Sequence, residues 1–153
     1  MMSKIDIDQL LEKVEKRLLI GGEWRDGSEG ETFEVENPAT GETIATMASA
    51  SREDALKALA AADNARAEWE HTTPRERAEI LRTAYDLMHE HKAEFATLMS
   101  LEMGKTYAEA EGEVDYGSDY LLWFSEEANH FFGNTNACLL YTSDAADDMQ
   151  CVD

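Results

Sequence analysis

Three segments of this 153-residue chain carry such complete helix-start chemistry that the stretch after Ser51 is constrained to be mostly helical. Ser51-Arg52-Glu53-Asp54 places a hydroxyl N-cap before two acids that favour the positive end of a helix, and Ala55, Leu56, Leu59, Ala62 and Trp69 form the stripe that helix is expected to bury. Thr73-Pro74-Arg75-Glu76 is a capping box with proline at the first helical position. Ile80, Leu81, Ala84, Leu87, Met88, Phe95, Leu98 and Met99 sustain its apolar face as far as Gly104, with a kink or short break expected between His89 and Lys92. Thr106-Tyr107-Ala108-Glu109 is another capping box. From it Val114, Leu121, Leu122, Phe124 and Phe131 lead to Gly133, which reads as a glycine C-cap.

The chain before Ser51 reads differently. Leu10, Leu11, Val14 and Leu18 recur at i, i+1, i+4 and i+8, so Asp8 to Arg17 predicts a short amphipathic helix, and residues 1–17 form a leader that packs on something larger. Leu18-Leu19-Ile20 and Thr32-Phe33-Glu34-Val35 are extended segments separated by the turn chemistry of Gly21-Gly22 and Arg25-Asp26-Gly27-Ser28. Asn37-Pro38-Ala39-Thr40-Gly41-Glu42 predicts a tight reversal into a further strand, Thr43 to Met47, because proline fixes φ and glycine permits positive φ. A small N-terminal antiparallel β segment followed by mostly α structure is therefore expected, with residues 18–137 as one unit.

Charge narrows the roles open to such a chain. Its 33 Asp and Glu against 13 Lys and Arg give a net charge of −20. Such a surface repels phosphate backbones and anionic headgroups, so neither nucleic acid nor a membrane surface is expected as a partner. No stretch is long or apolar enough for a bilayer span, and Met1 to Asp8 lack a basic region followed by an apolar core, so the expected compartment is the cytoplasm. Salt would screen the self-repulsion, which suits a saline habitat.

The ordered pattern breaks after Gly133. Cys138-Leu139-Leu140-Tyr141-Thr142-Ser143-Asp144-Ala145-Ala146-Asp147-Asp148 back-translates codon for codon into the adapter used in transposon-based DNA library preparation. Residues 138–153 are therefore read as an adapter scar rather than native sequence, and are kept out of fold reasoning. Both cysteines, Cys138 and Cys151, fall in it, so the remainder offers no disulfide, thiolate metal site or cysteine nucleophile. Removing Asp144, Asp147, Asp148 and Asp153 leaves 29 acids against 13 bases, a net charge of −16, and the charge argument stands.

The words Ile20-Gly21-Gly22-Glu23-Trp24, Asn37-Pro38-Ala39-Thr40-Gly41-Glu42, Arg75-Glu76-Arg77-Ala78, Leu101-Glu102-Met103-Gly104-Lys105 and Gly112-Glu113-Val114, in that order, resemble the N-terminal part of the NAD(P)-dependent aldehyde dehydrogenase superfamily. Trp123-Phe124-Ser125-Glu126-Glu127-Ala128 is most similar to its succinate-semialdehyde dehydrogenase branch. The resemblance covers about residues 18–135 and implies a truncated α/β enzyme of Rossmann type, an NAD or NADP cofactor, a small aldehyde substrate and a homo-oligomer. It also implies that the chemistry lies later. In the family a cysteine attacks the aldehyde, a glutamate serves as general base, an asparagine with a backbone amide holds the oxyanion, and the thiohemiacetal expels hydride to leave a thioester. No catalytic or cofactor-binding residue is assigned, because Cys138 and Cys151 lack the nucleophile's context. Where members continue Gly-x-Thr-Ile-Pro, this chain reads Gly133-Asn134-Thr135-Asn136-Ala137.

Few other residues suggest sites. His89 and His91 sit two apart and point about 200° from one another on a helix, so His71, His89, His91 and His130 read as surface or helix-end residues rather than a metal cluster. Glu126 and Glu127 diverge likewise and read as a solvated face or subunit contact, and Trp24, Trp69 and Trp123 as packing residues. The resemblance also implies a structural monovalent-cation site, mapping onto the Asp115 carboxylate and the Glu36 carbonyl. Without the rest of the enzyme, the stripes at Leu81, Phe95 and Leu122 are expected to stay partly exposed and the isolated chain to be partly molten or aggregating. The alternative is a small acidic helical interaction module, complete as it stands.

Overall fold

The computed structural model describes residues 5–130. Helix α1 (Ile7–Lys13) is followed by strands β1 (Leu18–Ile20), β2 (Glu23–Arg25), β3 (Thr32–Glu36) and β4 (Thr43–Ala48), then by helices α2 (Arg52–Glu70), α3 (Pro74–Glu90), α4 (Lys92–Met103) and α5 (Tyr107–Glu127). The strands form two separate antiparallel pairs, β1 with β2 and β3 with β4, so the fold is mostly α with a small antiparallel β segment.

The leader helix is shorter than its apolar spacing suggested. It ends at Lys13, with Val14 extended. Local polar bonds compete for the next turn: the Glu15 carboxylate accepts from the Lys16 and Arg17 N–H groups and from the Arg17 guanidinium. The Lys16 ammonium turns back to the Leu11 carbonyl at 2.9 Å, and the Lys16 carbonyl accepts from the Ala48 N–H, drawing the chain toward β4.

Both hairpin turns follow their residues. Gly21 and Gly22 hold φ of 63° and 81°, as the two-residue turn between β1 and β2 demands. Between β3 and β4, the Asn37 side chain accepts from the Ala39 N–H at 2.9 Å and Gly41 donates to the Asn37 carbonyl at 2.7 Å. The pair is irregular between Val35 and Glu36, where its register shifts.

The starts at Ser51, Thr73 and Thr106 form as read, and Ser51–Asp54 closes as a third reciprocal capping box. The break expected near His89 is real: α3 stops at Glu90 and His91, at φ −98° and ψ 15°, caps one helix and opens the next. Gly104 ends α4 in the left-handed conformation at φ 69°. The C-cap expected at Gly133 lies outside the described residues, as do Phe131 and residues 138–153.

The core is where α5 packs against α3 and α4. Small residues fill it: Ala78, Ala96, Ala110, Val114, Ser118 and Ser125 are buried, and Ala96, Ala110, Val114 and Ser118 are fully so. Of the apolar face read on α3 and α4, Leu81, Ala84, Met88, Leu98 and Met99 are half-buried, whereas Ile80, Leu87 and Phe95 are exposed. The stripe expected to be buried on α2 is not. Ala55, Leu56, Leu59, Ala62 and Trp69 are all exposed, because among the described residues α2 packs mainly on β1, and on the stripe's far end only the Arg77 guanidinium of α3 lies over Trp69. No helix of the described residues is long and apolar enough to cross a membrane.

Candidate functional site

Three constructions position the polar and aromatic side chains. The first joins sequence words that lie far apart. Pro38 from the β3–β4 turn sits against Gly104 at the end of α4, its Cγ only 3.0 Å from where a Gly104 Cβ would stand. Just beyond, Thr106 caps α5, with its hydroxyl held by Glu109, whose carboxyl lies below the ordinary range because of that hydroxyl and the Thr106 N–H. Lys105 pairs with Glu113, and Lys92 reaches Asp115 at 2.7 Å, which raises the Lys92 ammonium above its usual range. Asp115, a residue of the implied cation site, is thus already paired with an ammonium, and Glu36 lies at the irregular end of β3. Among the described residues, no three His, Asp or Glu side chains converge as a metal site.

The second is a buried carboxylate that the sequence showed only as a first-turn acid. Asp54 is 2% exposed, and its Oδ2 accepts from the Ser28 N–H at 2.9 Å, the Ser51 N–H at 3.0 Å and the hydroxyls of both serines at 3.0 Å. The Ser28 and Ser51 N–H groups are the main reason its pKa falls to about 2. This ties the loop after β2 to the start of α2. The loop approaches so closely that a Cβ on Gly27 would meet the Ser49 carbonyl oxygen at 2.2 Å.

The third is an aromatic face. Trp69, Pro74, Arg77, Leu81, Trp123, Phe124, Glu127 and Ala128 line an open groove of about 460 Å³ between the end of α2, α3 and α5. Arg77 is fixed as one wall: its guanidinium lies 5.3 Å over the Trp69 ring, donates to the Trp69 carbonyl at 2.9 Å and to the Thr72 hydroxyl at 2.8 Å. Further along α5, Tyr116 and Tyr120 pack edge to face with hydroxyls 2.6 Å apart, and Trp123 is 62% exposed. The tryptophans read as packing residues therefore stand exposed among the described residues, Trp24 included.

The histidines occupy helix ends and turns, as their spacing indicated. His71 caps α2, His91 pairs with Glu94 at 2.7 Å, and His130 lies in the turn after α5. His89 adds a contact that sequence did not show. The Ser118 hydroxyl donates to the Asp115 carbonyl at 2.9 Å, so His89 Nε2, 3.0 Å away, is the donor to Ser118 and ties α3 to α5. Glu126 and Glu127 are both exposed.

The fold of the described residues has counterparts among solved structures. The fold is similar to that of betaine aldehyde dehydrogenase from Staphylococcus aureus, solved in complex with NAD+, with a TM-score of 0.76 and 30% identity over 78% of this chain and 24% of that one. The chain belongs to the aldehyde dehydrogenase family, whose profile matches residues 24–148. Among its curated relatives are the NADP(+) succinate-semialdehyde dehydrogenase of Escherichia coli, 40% identical over 78% of this chain, and the glutarate-semialdehyde dehydrogenase of Pseudomonas putida, 42% identical over 76%. The chain spans about a quarter of the length of these relatives, 25% and 24%.

Proposed function

We propose that the chain is the N-terminal part of an NAD(P)-dependent oxidoreductase that oxidises succinate semialdehyde to its acid in the cytoplasm, as a homo-oligomer. The observation that carries this reading is the contact of Pro38 with Gly104, which brings together two of the family-like sequence words in one folded junction. The named substrates of the two curated relatives, both semialdehydes of dicarboxylic acids, support the choice of an aldehyde bearing a second carboxylate.

The described residues contribute scaffold rather than chemistry. They include no cysteine, no parallel strand pair and no glycine-rich turn from strand into helix, the features that supply a thiolate nucleophile or cradle a dinucleotide. They do not fit the cofactor, and no step is assigned to them. The isolated chain is accordingly proposed to be inactive.

Two further readings are proposals of the same kind. One is that residues 138–153 are an adapter scar, although the family match runs past Cys138 to residue 148. The other is that the Asp115 carboxylate and Glu36 carbonyl hold a monovalent cation, which would share Asp115 with the Lys92 ammonium. Calorimetric titration with potassium should give heat that Asp115→Asn removes, and equal heats would discard that site.

The test of function begins with DNA. Resequencing the source across the codons for Gly133 to Asp153, without transposon adapters, is expected to show a frame that continues past Ala137. Persistence of the Cys138 to Asp148 codons, with a stop, in the source DNA would overturn the scar reading. The continuous frame is then expressed and assayed for succinate-semialdehyde-dependent formation of reduced nicotinamide. An enzyme that folds and binds nicotinamide cofactor but reduces none with this aldehyde would refute the substrate assignment.

A further inference from the structure

We propose that Tyr116 and Tyr120 form a site of oxidative cross-linking, at which a one-electron oxidant of the peroxidase class joins the two phenol rings within α5 as a dityrosine. The site is built from one helix of this chain and is independent of substrate and cofactor.

Helix geometry assembles the pair. Residues four apart on an α-helix lie one above the other on a single face. Tyr116 and Tyr120 lean together there, with ring centroids 5.1 Å apart, planes at 87° and hydroxyls 2.6 Å apart. That face is the outward one. Tyr116 is 66% and Tyr120 51% exposed, whereas Val114 and Ser118, two positions before each and about 200° around the axis, are buried in the seam with α3 and α4. An oxidant therefore reaches both rings from solvent, and the rings are already in contact. The other two tyrosines among the described residues are placed differently. Tyr85 packs at 4.4 Å on His89 with the Arg82 guanidinium over its ring, and Tyr107 is half-buried, its phenol pushed up by that burial.

The chemistry balances with the oxidant named. Removing an electron from a phenol makes its O–H strongly acidic, so the proton leaves with the electron. One hydroxyl of the pair donates to the other, and this hydrogen bond holds the Tyr120 phenol above its ordinary range, so its ring enters as the neutral phenol. Asp119 lines the same hollow as both rings and offers a carboxylate to take up a proton. Two such oxidations leave a neutral phenoxyl radical on each ring, with unpaired density at the carbons ortho to oxygen. An ortho carbon of Tyr116 and one of Tyr120 form the new C–C bond, and the hydrogen on each returns to oxygen and restores the aromatic rings. The chain loses two hydrogen atoms, and those two electrons and two protons reduce one hydrogen peroxide to two waters at the peroxidase.

Proximity and charge direct the coupling within the chain. The second ring stands at contact distance, an effective concentration that another molecule does not match, and another molecule also brings a repelling net charge of −20. The bridge spans one turn of α5 on its solvent side and leaves the buried seam undisturbed.

The test treats the full 153-residue chain with a haem peroxidase and hydrogen peroxide. Cleavage after glutamate releases residues 114–126, which contain Tyr116 and Tyr120 and no other tyrosine. This peptide should lose the mass of two hydrogen atoms, show dityrosine fluorescence and give no backbone fragments between the two tyrosines, while the chain stays monomeric on a denaturing gel. Tyr116→Phe and Tyr120→Phe keep the ring and remove only an outward hydroxyl; each should lower the intrachain yield at least about tenfold, and Tyr85→Phe should leave it unchanged. A parallel reaction with free tyrosine shows that the oxidant is active. Absence of the cross-linked peptide under conditions that couple free tyrosine, an undiminished yield in either Tyr116→Phe or Tyr120→Phe, or coupling mainly between chains would each overturn the proposal. Circular dichroism on every variant, matched for helix content, excludes general unfolding as the source of a difference.

Discussion

Replacing Gly27 by alanine tests the close approach of the loop after β2 to the start of α2. The added Cβ would stand 2.2 Å from the Ser49 carbonyl oxygen and 3.3 Å from its carbon. A comfortable carbon–oxygen contact is about 3.3 Å, so the loop must withdraw by about 1 Å. Ser28 is the next residue, and its N–H reaches Asp54 at 2.9 Å, so the same displacement takes that bond beyond hydrogen-bond range. Overpacking combined with a lost hydrogen bond costs about 2–3 kcal/mol. Local opening should therefore become about 30- to 150-fold more frequent, since each 1.4 kcal/mol is tenfold. Hydrogen exchange read by mass spectrometry on peptides covering residues 26–31 and 49–56 measures it directly, with α5 amides as an internal reference. Exchange in these peptides within about threefold of the unsubstituted chain would refute the reasoning.

Gly112→Ala should act in the opposite direction, because no heavy atom lies within 4 Å of the added Cβ and a glycine inside a helix costs about 1 kcal/mol relative to alanine; α5 amides should exchange about fivefold more slowly. Asp54 has a folded pKa lowered from 3.8 to about 2, so its stabilising contribution is complete above pH 4 and is lost as the pH falls from about 4 to about 2. Exchange in peptide 26–31 should rise through that window, and Asp54→Asn should remove the pH dependence while leaving the loop looser at every pH. Thr73→Ala, which deletes one capping hydroxyl, should lower the stability of α3 by about 1 kcal/mol, seen as faster exchange in its first turn. The exposed Leu56, Leu59, Trp69 and Trp123 predict strong binding of a hydrophobic dye by the isolated chain and concentration-dependent association; a cooperative calorimetric transition with monomeric sedimentation and no dye binding would contradict this.

What could be read from sequence was whatever neighbouring residues decide together. Ser51, Thr73 and Thr106 start their helices because each partner lies three positions away, and Gly104 stops one because its own backbone can turn left-handed. Burial was misread on α2 because apolar spacing shows which side of a helix is apolar, not whether anything lies against it. The extent of α1 was misread because Glu15 and Arg17 satisfy the backbone locally in a way that hydrophobic periodicity does not register. The Asp54 bonds to Ser28, the Pro38 contact with Gly104 and the His89 bond to Ser118 span 26, 66 and 29 positions, and no local signal announces such partners. Asp54 offered a faint one, since Arg25-Asp26-Gly27-Ser28 advertised a turn with a spare N–H and hydroxyl.

The core of α3, α4 and α5 has a bearing on how this segment can vary through descent. Ala78, Ala96, Ala110, Ser118 and Ser125 are near the lower limit of side-chain size, so nearly every mutation there enlarges the residue and drives two helices apart. The inner seam should drift very slowly and admit little beyond exchanges among glycine, alanine and serine. The outward row of Tyr116, Tyr120 and Trp123 is under no such ceiling from its own helices. The spacing of the helices should therefore be the part of the segment most faithfully inherited.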